Sequence, residues 1–190
     1  MKRLLLVLGV VVALGVLAVA GLIGVVWYEN AYKSIVQTVE VENSNDQFVL
    51  MTNYSGFGDQ AWSVYRLPIG ASVTSEMRDG GSTAGALFWN YTEAGDHSEG
   101  ARLTVVQDRY LVFSRGGLRH SLYDMAADSV LVNEPSPWHA FLDSTDVPPR
   151  TPLKEERALM DEWVREHLDG RIRAILRGAA EPTAAGRHNA

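Results

Sequence analysis

The sequence predicts an α+β fold: a single amino-terminal transmembrane helix, an antiparallel β-sheet domain built as a meander, and one long carboxy-terminal amphipathic helix packed on the sheet. Three observations predict it. Leu4 to Trp27 is an uncharged apolar run; short β-rich segments separated by turn chemistry follow from Ser34 to Asn133; and apolar residues return every three, four or seven positions from Leu153 to about Arg177.

The first run, twenty-four residues long, would rise about 36 Å as a helix, more than the ~30 Å hydrocarbon core of a bilayer. Lys2 and Arg3 precede it and Tyr28-Glu29-Asn30 follow, so the positive-inside bias keeps the amino terminus in the cytoplasm and exports the chain from about residue 30. Trp27, Tyr28 and Tyr32 stand where an interfacial aromatic belt is expected. Ala18-Val19-Ala20 has the form of a signal-peptidase site, with Leu4 to Leu17 as its apolar region, yet cleavage after Ala20 would leave seven further apolar residues at the new terminus. An uncleaved anchor over residues 1–29 is therefore expected. Gly9 with Ala13 and Ala20 with Gly24 form small-x-x-x-small pairs, which the ordinary composition of membrane helices also accounts for.

From Ser34 to Glu42 the residues alternate, with Ile35, Val39 and Val41 on one face and Val36, Thr38, Glu40 and Glu42 on the other, the period of a half-buried strand. Asn43-Ser44-Asn45-Asp46 breaks it. Phe48 to Tyr54 and Ala61 to Leu67 are the next strands, joined by a glycine loop and stopped by Pro68, which has no N–H to donate. Residues 69–85 are rich in Gly, Ser and Thr, with Asp79-Gly80-Gly81-Ser82 reading as a turn or mobile loop, Leu87 to Tyr91 as an aromatic strand, and residues 94–100 as loop again. Arg102 to Val106, Tyr110 to Ser114, Leu118 to Tyr123 and Val130 to Asn133 then form a four-stranded meander, because connections of three to six residues favour antiparallel neighbours. Altogether about seven or eight strands are expected in one sheet. A propeller is excluded: the chain supplies at most two blades, and no period of about 40 residues repeats.

Pro148-Pro149 and Pro152 make a stiff connection, with Thr151 as cap and Pro152 as first residue of the last helix. Its apolar face is Leu153, Met160, Val164, Leu168, Ile172 and Ile175, and Asp169 precedes Arg173 by four, a stabilising order. The anchor thus gives way to a single extracytoplasmic domain over residues 30–177, and residues 178–190, with little to bury, form a disordered tail.

Composition narrows the partners. Without Lys2 and Arg3 the chain carries 15 basic and 23 acidic residues, a net charge of −8. The last helix holds six of each sign, so the excess lies on the β-rich part. An acidic surface repels phosphate, which argues against nucleic acid and anionic headgroups and for a basic protein partner. With no cysteine, an exported domain holds together by burial alone; this suits a bacterial periplasm better than an animal exterior. Asn53-Tyr54-Ser55 and Asn90-Tyr91-Thr92 have the form of glycosylation triplets, which arise easily by chance.

Candidate site residues are few. His120, on a strand face with Leu118 and Leu122, would need Asp124, Glu134 or His139 as partners to bind zinc or act as a base, and a hydrogen-bonded structural histidine is the simpler reading. Trp138-His139 follow two prolines on a loop near the sheet edge, either as an exposed interaction anchor or as a lid on the core. Asp59 and Trp62, beside the Gly56 and Gly58 loop, place a carboxylate at a sheet edge, where a turn carboxylate capping backbone N–H groups is the plainer account. Asp96-His97-Ser98-Glu99 holds the residue types of a hydrolase triad, but triads assemble from separated segments. No nucleotide, metal or hydrolase motif occurs, so no cofactor, metal ligand or catalytic residue is assigned.

The expectation is a non-catalytic protein-binding module on the outer face of a bacterial inner membrane, an accessory subunit of an envelope complex or a neutraliser of a periplasmic toxin. The alternative is a periplasmic hydrolase, metal-assisted or not, centred on His120 and His139. Convergence of those side chains in one concave pocket would favour the enzyme; their dispersal favours the binder.

Overall fold

The computed structural model describes residues 2–31, 33–42, 44–54, 60–80, 82–92, 100–144 and 154–180. In chain order the elements are helix α1 (Lys2–Ala31), strands β1 (Ser34–Glu40), β2 (Asp46–Tyr54) and β3 (Gln60–Pro68), the short helix α2 (Ser75–Arg78), strands β4 (Phe88–Thr92), β5 (Arg102–Val106), β6 (Tyr110–Arg115), β7 (Leu118–Asp124) and β8 (Ser129–Val132), then helices α3 (Pro137–Asp143), α4 (Lys154–Val164) and α5 (Gly170–Ala180), the last two joined by a π-helical turn, Arg165–Asp169. The fold is α+β with two antiparallel sheets and a carboxy-terminal helix.

All eight expected strands are present, but they form two four-stranded meanders, β1-β2-β3-β4 and β5-β6-β7-β8, rather than one sheet. The residues show why. Phe48-Val49-Leu50-Met51 in β2 and Tyr110-Leu111-Val112-Phe113 in β6 are each 4% exposed or less, so both sheets are covered on both faces. Phe48, Leu50, Trp62, Val64 and Phe88 of the first sheet meet Leu103, Leu111, Phe113 and Tyr123 of the second in the central core. Behind the first sheet, Val49, Met51, Tyr65 and Leu67 pack under Val73, Met77 and Ala86, so the Gly-, Ser- and Thr-rich connection carries α2 and supplies an outer layer. Behind the second, Tyr110, Val112, Leu122 and Val132 receive Val164, Leu168 and Ile172, the predicted helical stripe. The sheets meet at one corner, where the Gln37 side chain donates to the Leu103 carbonyl (3.1 Å) and accepts from the Leu103 N–H (2.8 Å), standing in for a ladder.

Bulges change the phase of three strands, β1, β7 and β8. In β1 the register shifts between Ile35 and Gln37, so Ile35, expected on the inward face with Val39 and Val41, is 44% exposed like Val36 beside it. In two of the second sheet's three hairpins, consecutive residues with positive φ make the turn: Gln107-Asp108 (56° and 51°) between β5 and β6, and Gly116-Gly117 (55° and 81°) between β6 and β7, the geometry whose twist matches the flanking strands.

The last helix is interrupted. At the π turn the Gly170 N–H donates to the carbonyl of Arg165, five residues back, and a Cβ on Gly170 would lie 3.3 Å from that oxygen. The wide turn carries Asp169, whose side chain is 2% exposed, onto β7, where Arg119 Nη1 donates to it at 2.9 Å and Arg173 binds its other oxygen. Burial alone would raise the pKa of Asp169; the hydrogen bonds from Arg173 and Arg119 outweigh it and hold the carboxyl below its usual range. Removing both arginines together is expected to destabilise the domain by about 3 kcal/mol, because a buried carboxylate is left alone, whereas Arg173→Ala by itself costs about 1 kcal/mol because that guanidinium is 44% exposed. Urea denaturation of both variants checks the non-additivity.

Helix α1 differs from every other element. Its side chains are described over residues 9–25, where Val10, Val11, Val12, Leu14, Val16, Leu17, Val19, Leu22, Ile23 and Val25 are each more than half exposed, and a Cβ on Gly9, Gly15, Gly21 or Gly24 would meet nothing within 4 Å. Those seventeen residues rise about 26 Å, less than the ~30 Å of a bilayer core, and among the described residues no helix is long and apolar enough to cross a membrane.

Candidate functional site

Two polar assemblies and one cleft stand out once the layers are in place. The first is at the end of the sandwich where α1 leads into β1. Lys33 is 3% exposed, and its ammonium donates to the Tyr65 hydroxyl at 3.1 Å and to the Ser82 carbonyl, while its backbone N–H donates to Arg78 at 2.7 Å. Two residues past α1, this lysine fastens the chain to the outer layer of the first sheet.

The second assembly is buried between the sheets. Phe113 tilts against Trp62 (ring centroids 6.3 Å), Phe88 (6.4 Å) and His120 (6.1 Å), and the Arg115 guanidinium lies 5.1 Å from the Trp62 ring. His120 was expected on the face of Leu118 and Leu122; instead the β6–β7 register shift after Phe113 leaves it without a cross-strand partner and turns it onto Phe113, while Leu122 packs toward the last helix. At 2% exposure, with Nδ1 lacking a hydrogen bond, the ring is held neutral: burial, then the charge of Arg115, lowers its pKa to about 3.

The other expected residues lie elsewhere. Trp138 and His139 are on helix α3, not a loop: a proline at the first helical position favours the turn there. Trp138 is 3% exposed and packs with Phe141, Leu142 and Met160, so it covers the end of the core, whereas His139 is exposed, with Nδ1 2.5 Å from Ser136 Oγ. Trp62 is likewise buried at 3%. Asp59, the Asp96 to Glu99 stretch, Tyr32, the connection through Pro152 and the tail from residue 181 lie outside the described residues. His120 and His139 thus face different surroundings, one in the sheet interior and one on a helix surface, and among the described residues no three acid, histidine or cysteine side chains are placed to hold a metal ion.

The cleft, of about 310 Å³, lies at the opposite end of the sandwich from Lys33, where three odd-to-even turns come together: β1–β2, β5–β6 and β7–β8. Its wall is apolar, made by Val41, Phe48, Met125 and Ala126, and its rim carries the carboxylates of Glu42, Asp46 and Asp108. The edges are braced by ion pairs. Arg66 of β3 donates to Asp46 at 2.6 Å and to Asp128 at 3.2 Å, and it also reaches the Tyr123 hydroxyl, itself bonded to Asp128. This stitches the two sheets beside the cleft, and burial together with the Asp128 carboxylate raises the Tyr123 phenol to about 12. Arg109 grips Asp124 at 2.6 Å, and that carboxylate also accepts from the N–H groups of Ala126 and Ala127, which fixes the third turn. The hydrogen bonds from Arg66 and from Arg109 hold Asp46 and Asp124 below the usual carboxylate range. Glu42 and Asp108, both exposed, have no ion pair among the described residues.

Neither a protein-family model, a curated protein nor a solved structure matches this chain.

Proposed function

We propose that the chain is a membrane-anchored, non-catalytic protein-binding module whose domain stands outside the cytoplasm, with residues 4–27 as the anchor. The observation that carries this reading is α1: a thirty-residue helix whose described side chains, over residues 9–25, are apolar on every side and exposed. A helix hydrophobic on every side is stable only inside a core or a bilayer, and among the described residues none of the hydrophobic clusters includes it. The uncharged run continues in sequence from Leu4 to Trp27, long enough to span with some tilt, with Lys2 and Arg3 on the cytoplasmic side. Lys33 then holds the domain close to the bilayer, and the cleft lies about 23 Å farther along the seven residues of β1.

A partner at that end suits an acidic domain. Three carboxylates ring the cleft and the domain is cysteine-free and rigidly layered, as expected of an accessory subunit or of a protein that neutralises a basic toxin by steering it electrostatically. The hydrolase reading has one observation in its favour, the 2.5 Å contact of Ser136 with His139. That contact joins two side chains three residues apart at the start of a helix on an exposed surface, and His120 is too deeply buried to serve the same site.

Chemical crosslinking of the full chain in native membranes, followed by detergent solubilisation, is expected to yield one stoichiometric protein adduct. Recovery of the chain alone, repeated across growth conditions, would contradict the binding-module reading.

A further inference from the structure

We infer that the cleft between the three turns receives a single lysine or arginine side chain from an extended basic segment of a protein partner, a proposal that rests on the binding-module reading above. Two features of the cleft select that occupant. Its lining holds Val41 and Phe48, both buried, beside Met125 and Ala126, which are more open and against which a methylene stem can lie. Its mouth holds two exposed carboxylates, Glu42 and Asp108, from turns of different sheets, and nothing among the described residues neutralises them. Asp46, the third, is already bound to Arg66. An acid or a neutral peptide would leave the Glu42 and Asp108 carboxylates without a counter-charge, while a cationic head at the rim pairs with them as its stem lies along Met125 and Ala126. The volume, about 310 Å³, suits a long side chain with its adjoining backbone rather than a helix, so an extended segment presents it. Asp108 sits at a φ of 51°, in a tight turn braced on one side by Arg109 and Asp124, which holds the backbone that carries it at the rim.

The five methionines make the test direct, since Met125 lines the cleft while Met51 and Met160 are buried in two other clusters. The full chain, labelled with methyl-¹³C methionine and held in lipid nanodiscs, is titrated with the pentapeptide acetyl-Gly-Gly-Lys-Gly-Gly-amide. The Met125 methyl resonance is expected to shift saturably with a Kd on the order of millimolar, the Met51 and Met160 resonances to stay fixed, and the same peptide with an Nε-acetylated lysine to bind at least about tenfold more weakly. The double variant Glu42→Gln, Asp108→Asn, which keeps a residue tolerant of positive φ in the turn, is expected to abolish the shift while Met51 and Met160 report an intact fold. Equal shifts with the acetylated peptide, shifts spread over all methionines, or an unchanged titration in the double variant would overturn the proposal. Membrane crosslinking separates it from the reading beneath it. A partner captured equally by the wild type and the double variant leaves a binding module but removes the cleft from it; lysine binding without any captured partner leaves the cleft and removes the module.

Discussion

Replacing Phe113 by alanine is expected to cost about 3–5 kcal/mol, a large part of the 5–15 kcal/mol that holds a domain of this size together. Phe113 is fully buried at the centre of the layer between the sheets, and its ring meets Trp62 and Phe88 from the first sheet and His120 from its own. No disulfide shares the load, since the chain has no cysteine. Truncation removes the ring's transfer free energy and leaves a cavity that rigid strands on both sides cannot close. Leu159→Ala, at a side chain 53% exposed on α4, is the matched control and is expected to change stability by less than about 0.5 kcal/mol. Denaturant melts of both variants decide it: similar midpoints would mean that the two sheets do not share one core.

Acid is expected to weaken the domain well above the pH at which its carboxylates protonate, and His120→Gln to remove that sensitivity. In the unfolded chain His120 takes up a proton near pH 6.5; in the folded domain, buried beside Arg115, it does so only near about 3. Between those values the unfolded state binds more protons, so stability is complete above about 6.5 and falls as the pH drops, by up to about 1.4 kcal/mol per pH unit. Asp46, Asp124 and Asp169 act in a different window. Their folded pKa values are depressed, so the stability they contribute is present above the unfolded value of 3.8 and is lost only as the pH falls through the lower folded values. Unfolding free energies measured from pH 7 to 4 therefore isolate the histidine. A flat profile in the wild type, or the same slope in His120→Gln, would show that His120 is not held neutral by its surroundings.

The strands were legible because their residues carry the signal locally. β5 begins and ends where the sequence places it, and β3, placed at Ala61 to Leu67, sets Trp62 and Val64 on one face and Tyr65 on the other, the second face buried under α2. The division into two sheets was not, since a run such as Phe48 to Met51 reads the same whether its far face meets a helix, a loop or another sheet. The exposure of Ile35 and the turning of His120 onto Phe113 each follow from a one-residue bulge, and a bulge leaves no mark in the period-two pattern that precedes it. Helix α3 was hidden by its two flanking prolines, which read as loop although Pro137 is the residue that starts it.

The cleft was half visible. The acid excess of the β-rich part and the turns at residues 43–46, 107–109 and 124–129 are all in the sequence, and in consecutive antiparallel strands the turns that follow odd-numbered strands share one end of their sheet. What no local pattern supplies is that the second meander lies over the first with those ends together, which brings Glu42 near Asp108, sixty-six positions apart. Lys33 escaped notice for a similar reason: a lysine just past an apolar helix reads as solvated, and only the folded chain sets Tyr65 and the Ser82 carbonyl around its ammonium.

Because the chain has no cysteine, single cysteines can be placed at Leu14, in the middle of α1, and at Glu40, exposed at the cleft end of β1, and labelled in intact spheroplasts with a membrane-impermeant maleimide. Anchoring predicts that Glu40→Cys labels without lysis and that Leu14→Cys resists the reagent until the bilayer is dissolved. Labelling of Leu14→Cys in intact membranes, or protection of Glu40→Cys until lysis, would contradict it.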